Sequence, residues 1–279
     1  MSRFLSIWIA GLCFLALLVQ EAHAAAPVAP VTYPADSVLG RIQKRGKLIV
    51  AVRNDLPLFG YFDPKTSQYE GFDIDLAKEF ARALFGQPDR VEFKAANART
   101  RIPMVKEDVA DMALATITIT PERALEVDFS DVYFVTGPAV ATLKDVSNYK
   151  RLEDFAGKTL AVTTGSVYEK VLKEKYPKIN VALIATHAEI LQAMRARRVD
   201  GIVSDETNIQ SMMKFDPTLV IAVPAFEPKS KYGVAIRKGR ADVLQFVNGV
   251  LREIKANGRW KEIYSHNLGN PVPPPPPAD

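Results

Sequence analysis

The residues between Met112 and Arg123 combine a short apolar run, threonine hydroxyls and the start of a helix. Thr120 suits the capping position of that helix, and the proline after it suits the first helical position. The backbone amides of the first turn would then face a site that Thr116, Thr118 and Arg123 also line, which favours a carboxylate as the ligand. An ordinary helix start with a solvated Arg123 is the alternative for this segment taken alone.

Two further positions suit the binding of an anion. Arg53 directly follows the apolar run 48–52, and ligands of open α/β sheets bind at the carboxyl ends of strands. Ser166 lies in a Gly-Ser turn between an apolar run and a helical segment, where backbone amides can form an anion cradle. An exposed strand-end arginine and a simple turn are the alternatives, and the residues alone leave both open.

The elements that would position these residues alternate between strands and helices. Continuous apolar runs at 48–52 and 159–163 are typical of strands that are buried on both faces. Phe72 to Leu84 has the four-residue apolar spacing of an amphipathic helix. The segment 198–205 repeats the pattern of 106–116, which predicts two α/β lobes of similar construction.

Length and composition agree with two ordinary domains. The chain has 279 residues, of which 48% are hydrophobic and 24% charged, so it can bury two separate cores. The formal net charge is +4, but lysine and arginine alternate with acidic residues along the chain. Because there is no basic block, nucleic acid is not an expected partner.

The two ends of the chain have compositions of their own. Residues 1–24 have the charged start, apolar core and Ala-His-Ala ending of a cleaved secretory signal. An uncleaved membrane anchor and a lipoprotein are the alternatives, although Leu12 precedes Cys13 where a lipoprotein has a small residue. Residues 25–36 are expected to form a flexible arm, and the Pro-rich residues 269–279 a polyproline II tail. Loss of the signal would remove the single cysteine and leave no thiol chemistry.

The segment 111–131, which ends in Asp-Phe-Ser-Asp, resembles the hallmark segment of the periplasmic solute-binding proteins of polar amino-acid ABC transporters, known as extracellular solute-binding protein family 3. The resemblance covers roughly residues 46–260. It implies that Arg123 binds the ligand's α-carboxylate and that Asp205 binds its ammonium group. Ser166 matches the family's Gly-Ser-Thr element, although Val167 replaces the usual threonine.

The sequence Thr-Arg-Ile-Pro at 100–103 resembles the branch of this family that binds acidic amino acids. The resemblance implies that Arg101 contacts the distal carboxylate of glutamate or aspartate and that Arg53 assists it. Arg99 is expected on the surface. Glutamine and asparagine stay open as ligands, because residue spacing does not give the depth of the cleft.

The resemblance also implies a type II periplasmic-binding-protein fold, which is an α/β fold with two sheets flanked by helices and two hinge crossovers. Lobe 1 is expected at 37–139 and 232–268, lobe 2 at 145–224, and the crossovers at 140–144 and 225–231. The implied partners are a small amino acid and a membrane permease. We expect the protein to be a monomer in the periplasm.

Two other functions are weighed against transport. Cyclohexadienyl dehydratases use the same fold, but the sequence offers no separate general acid, since His187 and His266 are expected in surface-like helical positions. A sensory module is the second alternative. No metal or cofactor is predicted, because Asp73 and Asp75 are interpreted as partners of a helix dipole. We therefore expect a binding protein rather than an enzyme.

Overall fold

The computed structural model describes residues 31–146, 149–269, 274 and 276–278. The predicted signal peptide, half of the predicted arm and most of the Pro-rich tail lie outside these residues. No helix of the described residues is both long and apolar enough to cross a membrane.

The strands are β1 (Leu48–Val52), β2 (Asp55–Leu56), β3 (Gly60–Asp63), β4 (Gln68–Glu70), β5 (Val91–Ala95), β6 (Met112–Leu114), β7 (Val127–Phe129), β8 (Phe134–Thr136), β9 (Pro138–Leu143), β10 (Thr159–Thr163), β11 (Asn180–Ile184), β12 (Gly201–Asp205), β13 (Leu219–Val223), β14 (Ser230–Tyr232) and β15 (Ala235–Arg237). The α-helices are α1 (Val38–Arg45), α2 (Phe72–Phe85), α3 (Arg101–Lys106), α4 (Pro121–Glu126), α5 (Tyr168–Lys175), α6 (His187–Arg195), α7 (Glu206–Met213), α8 (Ala241–Ala256) and α9 (Arg259–Leu268). Two 3₁₀ turns, Lys144–Val146 and Leu152–Phe155, follow β9.

Lobe 1 is built on a five-stranded sheet with the strand order β5-β1-β6-β15-β7. β1 is parallel to β5 and β6, and β15 is antiparallel to its neighbours. Val50 and Val52 of β1 belong to a buried cluster with residues of α2, α8 and α9. The continuous apolar sequence of β1 therefore has the structural role that its pattern predicts.

Lobe 2 is built on a second five-stranded sheet with the strand order β11-β10-β12-β9-β13. β10 is parallel to β11 and β12, whereas β9 is antiparallel to β12 and β13. Apolar side chains of α6 and α7, such as Ile190 and Ile209, pack on this sheet. The two sheets with their flanking helices confirm the predicted two-lobed α/β fold.

The chain enters lobe 2 earlier than the crossover expected at 140–144. Strand β9 is buried along its whole length and lies inside the lobe 2 sheet. Gly137 separates β8 from β9, and β8 pairs with β14 as a separate two-stranded ribbon. Because the apolar sequence continues through Gly137, its pattern does not mark the change of sheet.

Trp260 of α9 joins the aromatic core of lobe 1. Its ring centroid lies 5.8 Å from that of Phe72, and its indole N–H donates to the carbonyl of Tyr133 at 2.8 Å. We expect Trp260→Ala to lower the free energy of unfolding by about 3–5 kcal/mol, because it creates a cavity and removes a hydrogen bond.

Denaturation with guanidinium chloride measures this effect. Leu125→Ala is the matched control, since Leu125 is 80% exposed and its replacement should change the free energy of unfolding by less than about 0.5 kcal/mol. A similar small change for Trp260→Ala would contradict the packing role.

Candidate functional site

A cavity of about 300 Å³ lies between the two lobes. The structure places all seven sequence-predicted site residues around this one cavity: Arg53, Arg101, Thr116, Thr118, Arg123, Ser166 and Asp205. Further lining residues, which the sequence did not single out as site residues, include Tyr168, His187, Ser204 and Asn208.

Arg123 reaches the cavity from the start of α4. Thr120 caps this helix as expected, and its hydroxyl accepts a hydrogen bond from the Arg123 amide at 3.3 Å. The guanidinium donates from Nη1 to the carbonyl of Thr118 at 2.8 Å and from Nη2 to the carbonyl of Gly165 at 2.9 Å. Because Gly165 belongs to lobe 2, Arg123 links the two lobes at the cavity.

Ser166 faces Arg123 from lobe 2. Its hydroxyl oxygen is buried and has no hydrogen-bond partner. The preceding Gly165 has φ +83°, and a side chain there would lie 3.0 Å from the carbonyl oxygen of Ala98. This glycine therefore lets the turn approach lobe 1 closely. A buried hydroxyl without a partner is costly, which indicates a position where a ligand can accept or donate a hydrogen bond.

Asp205 ends strand β12 with a buried carboxylate. Its Oδ1 accepts a hydrogen bond from the Tyr168 hydroxyl at 2.6 Å, and that hydroxyl also lies 3.0 Å from Oγ of Ser230. Burial raises the pKa of Asp205, while the surrounding hydroxyls oppose this shift. Among the described residues, no lysine, arginine or histidine nitrogen lies within 4 Å of its oxygens. Asp205 is therefore available to pair with a cation.

Arg101 is buried at the start of α3. Its Nη1 donates to the carbonyls of Ala115 and Thr116, the latter at 2.9 Å, and its Nε has no hydrogen-bond partner. Burial and the nearby charges of Arg123 and Arg53 lower the pKa of Arg101, but an arginine stays protonated in proteins. In the described part of the chain no carboxylate oxygen lies within 4 Å of this guanidinium. Arg101 is thus a buried cation without an acidic partner.

Arg53 has an acidic partner of its own, which the residue pattern around it does not predict. Its Nε and Nη2 donate to the carboxylate of Asp55 at 2.6–2.9 Å. Burial opposes ionisation of Asp55, but the charge of Arg53 and contacts with His187 hold the pKa of that carboxyl well below its usual range. The charge of Arg53 is therefore largely matched within the protein, although its Nη1 can still donate to a ligand.

His187 is buried, which corrects the expected surface position. Its Nδ1 lies 3.0 Å from Nη2 of Arg53, and its Nε2 lies 3.1 Å from the hydroxyl of Ser204. Since the guanidinium can only donate, Nδ1 must accept, and Nε2 then carries the proton. Burial lowers the pKa of His187, with Arg53 acting in the same direction. This neutral histidine joins Arg53 of lobe 1 to β12 of lobe 2.

The charges of the cavity define what can bind there. Arg101 and Arg123 are cations without a carboxylate partner among the described residues, and Asp205 is a carboxylate without a cationic partner. A buried ligand charge must be paired, or its desolvation cost defeats binding. The described residues contain no group of three or more His, Cys, Asp or Glu arranged to hold a metal. The arrangement suits a small ligand that carries both positive and negative charge.

Two lobes with a polar cavity between them define a class of solute-binding protein. The chain belongs to the bacterial extracellular solute-binding proteins, family 3, whose family model matches residues 48–270. This kinship identifies a binding protein and not an enzyme, as predicted.

Three curated relatives illustrate the range of ligands in this family. The glutamine-binding protein of Geobacillus stearothermophilus is 38% identical over 72% of this chain and 77% of its own length. The ABC transporter glutamine-binding protein of Bacillus subtilis is 33% identical, covering 81% of this chain and 82% of its own. The L-glutamate/L-aspartate-binding protein of Pseudomonas aeruginosa is 27% identical over 92% and 89%.

Among solved structures, a solute receptor for L-cysteine of Neisseria gonorrhoeae superimposes with a TM-score of 0.80 at 30% identity. The match covers 85% of this chain and 97% of that protein. The shared fold thus carries binding sites for amino acids with different side chains.

Proposed function

We propose that this protein is the binding component of an amino-acid ABC importer and that its ligand is an acidic amino acid, glutamate or aspartate. The proposal rests mainly on one observation, the pair of arginines without acidic partners beside one carboxylate without a cationic partner. A zwitterion with a neutral side chain would match Arg123 and Asp205 and leave Arg101 unpaired. A second carboxylate on the ligand would pair with Arg101.

Each group of the site has a role in this proposal. Arg123 and the Ser166 hydroxyl bind the α-carboxylate, and Asp205 binds the ammonium group. Arg101 binds the distal carboxylate through the fork geometry that lysine lacks, with Nη1 of Arg53 as a further donor. These contacts come from the cavity-lining side chains of both lobes.

Closure of the lobes follows from this division of contacts. Arg101 and Arg123 belong to lobe 1, whereas Ser166 and Asp205 belong to lobe 2. The ligand makes all its contacts when the lobes are together, so it favours the closed form. We propose that the closed form delivers the amino acid to a membrane permease from the periplasmic side.

Glutamine is the second candidate ligand. The two relatives at 38% and 33% identity are named as glutamine-binding proteins. In addition, Asp55 matches the charge of Arg53, so the distal end of the cavity is less positive than three free arginines would make it. An amide could accept from Arg101 and leave its charge unpaired.

We expect Arg101→Met to separate these candidates. The variant should lower the affinity for glutamate by about 10- to 150-fold, because it removes charge-assisted hydrogen bonds of about 1.5–3 kcal/mol. The affinity for glutamine should fall less, because that complex loses one hydrogen bond to a neutral amide and no ion pair. Isothermal titration calorimetry with both amino acids measures the two affinities.

Two variants serve as controls for this experiment. Arg99→Met removes an exposed arginine from the adjacent loop and should leave both affinities unchanged. Arg101→Lys retains the charge and should recover part of the loss for glutamate. Equal losses for glutamate and glutamine in Arg101→Met would contradict the assignment of Arg101 to the distal carboxylate.

A further inference from the structure

Asp73 is a fully buried carboxyl group next to the cavity, and none of the roles proposed above uses it. It lies in the first turn of α2 and has no solvent exposure. Its Oδ2 accepts a hydrogen bond from the backbone amide of Thr116 at 3.1 Å, while its Oδ1 makes no hydrogen bond of normal geometry, although the Tyr133 hydroxyl lies close enough to lower the pKa of Asp73. A role as dipole partner of α2 explains the position of Asp73 but not an unsatisfied buried oxygen.

The peptide of Thr116 connects Asp73 to Arg101. Its amide donates to Asp73, and its carbonyl accepts from Nη1 of Arg101 at 2.9 Å. Thr116 adopts a positive φ of 53°, a conformation that few non-glycine residues adopt. Asp73 therefore lies directly behind the cation to which we assign the ligand's distal carboxylate.

The groups that face Asp73 place it near the balance between its two protonation states. Burial raises the pKa of Asp73 to about 7, against the opposing effects of the Tyr133 hydroxyl, the Thr116 amide and the charges of Arg101 and Arg53. Burial and the nearby Asp73 keep the pKa of Tyr133 well above its usual value, so the phenol stays neutral. A change of charge beside Arg101 therefore acts on a carboxyl group that can titrate near neutral pH.

We infer that Asp73 is a specificity-determining residue that takes up a proton from solvent when an acidic amino acid binds. In the empty site an ionised Asp73 partly offsets the charge of Arg101 from beyond ion-pair distance. The distal carboxylate of the ligand supplies that negative charge instead, and a proton then neutralises Asp73. A neutral amide brings no negative charge, so its binding requires no proton. This inference rests on the proposed function.

Calorimetry of the unmodified protein measures the proton directly. Titrations at about pH 7.5 in two buffers with different ionisation enthalpies give the number of protons exchanged per ligand. We expect an uptake of about one-half to one proton with glutamate and close to none with glutamine. The affinity for glutamate should fall as the pH rises from about 6 to about 9, by up to about tenfold per pH unit.

Two variants identify the group that titrates. Asp73→Asn mimics the neutral carboxyl, keeps an oxygen for the Thr116 amide, and should bind glutamate without proton uptake and with a flat pH profile. Asp75→Asn is the matched control in the same helical turn, because Asp75 pairs with Lys78 and Asn267 outside the cavity. It should retain the uptake of the unmodified protein.

The outcomes separate the two claims. Tight glutamate binding without proton uptake, or uptake that persists in Asp73→Asn, would overturn the inference while the proposed function stands. Failure of glutamate and aspartate to bind at all would overturn the proposed function and this inference with it.

Discussion

Replacing Arg123 with methionine should reduce the affinity for the amino acid by about 30-fold to several thousandfold. Truncation of one partner of a buried, hydrogen-bonded charge pair costs about 2–5 kcal/mol, largely because the other charge stays buried without a partner. In this variant the ligand's α-carboxylate would be buried in the cavity without a cationic partner. Loss of the hydrogen bond from Arg123 to Gly165 would also weaken the contact between the lobes.

Further variants separate the effect of losing the positive charge of Arg123 from the effect of losing its hydrogen-bond geometry. Arg123→Lys keeps the positive charge without the planar fork and should lose less affinity than the methionine variant. Arg90→Met is the matched control, since Arg90 is exposed outside the cavity. The loss should extend to glutamate, aspartate and glutamine alike, because all three carry the α-carboxylate. A loss confined to acidic ligands would contradict the assignment of Arg123.

Replacing Asp205 with asparagine should have an effect of similar size, about 30-fold to several thousandfold. Asparagine has nearly the same shape, and its carbonyl can still accept from the Tyr168 hydroxyl. The variant therefore removes the negative charge to which we assign the ligand's ammonium group, with little change in packing. Calorimetric titration or displacement of a bound ligand measures the loss.

The control for Asp205 lies at the other end of the same strand. Asp200 precedes β12, where its carboxylate accepts from the Thr159 amide at 2.8 Å, and it does not line the cavity. Asp200→Asn should leave the affinity unchanged. If Asp205→Asn binds the ligand with nearly the affinity of the unmodified protein, the ammonium group must lie elsewhere in the cleft.

Much of the fold could be predicted because local patterns coincide with long-range structure. The continuous apolar sequence of β1 predicts a buried parallel strand, and Thr120 with its following proline predicts the start of α4. Helix α7 was not predicted, because it begins directly after Asp205 without a capping side chain. Likewise, the apolar sequence continues through Gly137, so the sequence pattern does not show where β8 ends and β9 begins.

The candidate site shows the same limit at the level of side chains. Residue types and family resemblance select Arg53, Arg101 and Asp205, and the structure brings them to one cavity. The pairing of Arg53 with Asp55 depends on the backbone conformation after β1. That conformation cannot be predicted from the fact that the two residues are two positions apart. The burial of His187 depends on the approach of lobe 1 to α6, which is a tertiary contact and leaves no signal in the helix itself.

The central claim is that this cleft binds an acidic amino acid, and direct titration tests it. The protein, freed of any co-purified ligand by unfolding and refolding, would be titrated with glutamate, aspartate, glutamine, asparagine and arginine. The charge balance of the cavity predicts that glutamate or aspartate binds at least about tenfold more tightly than either amide. Tighter binding of glutamine than of glutamate would contradict the claim and assign the cleft to the second candidate.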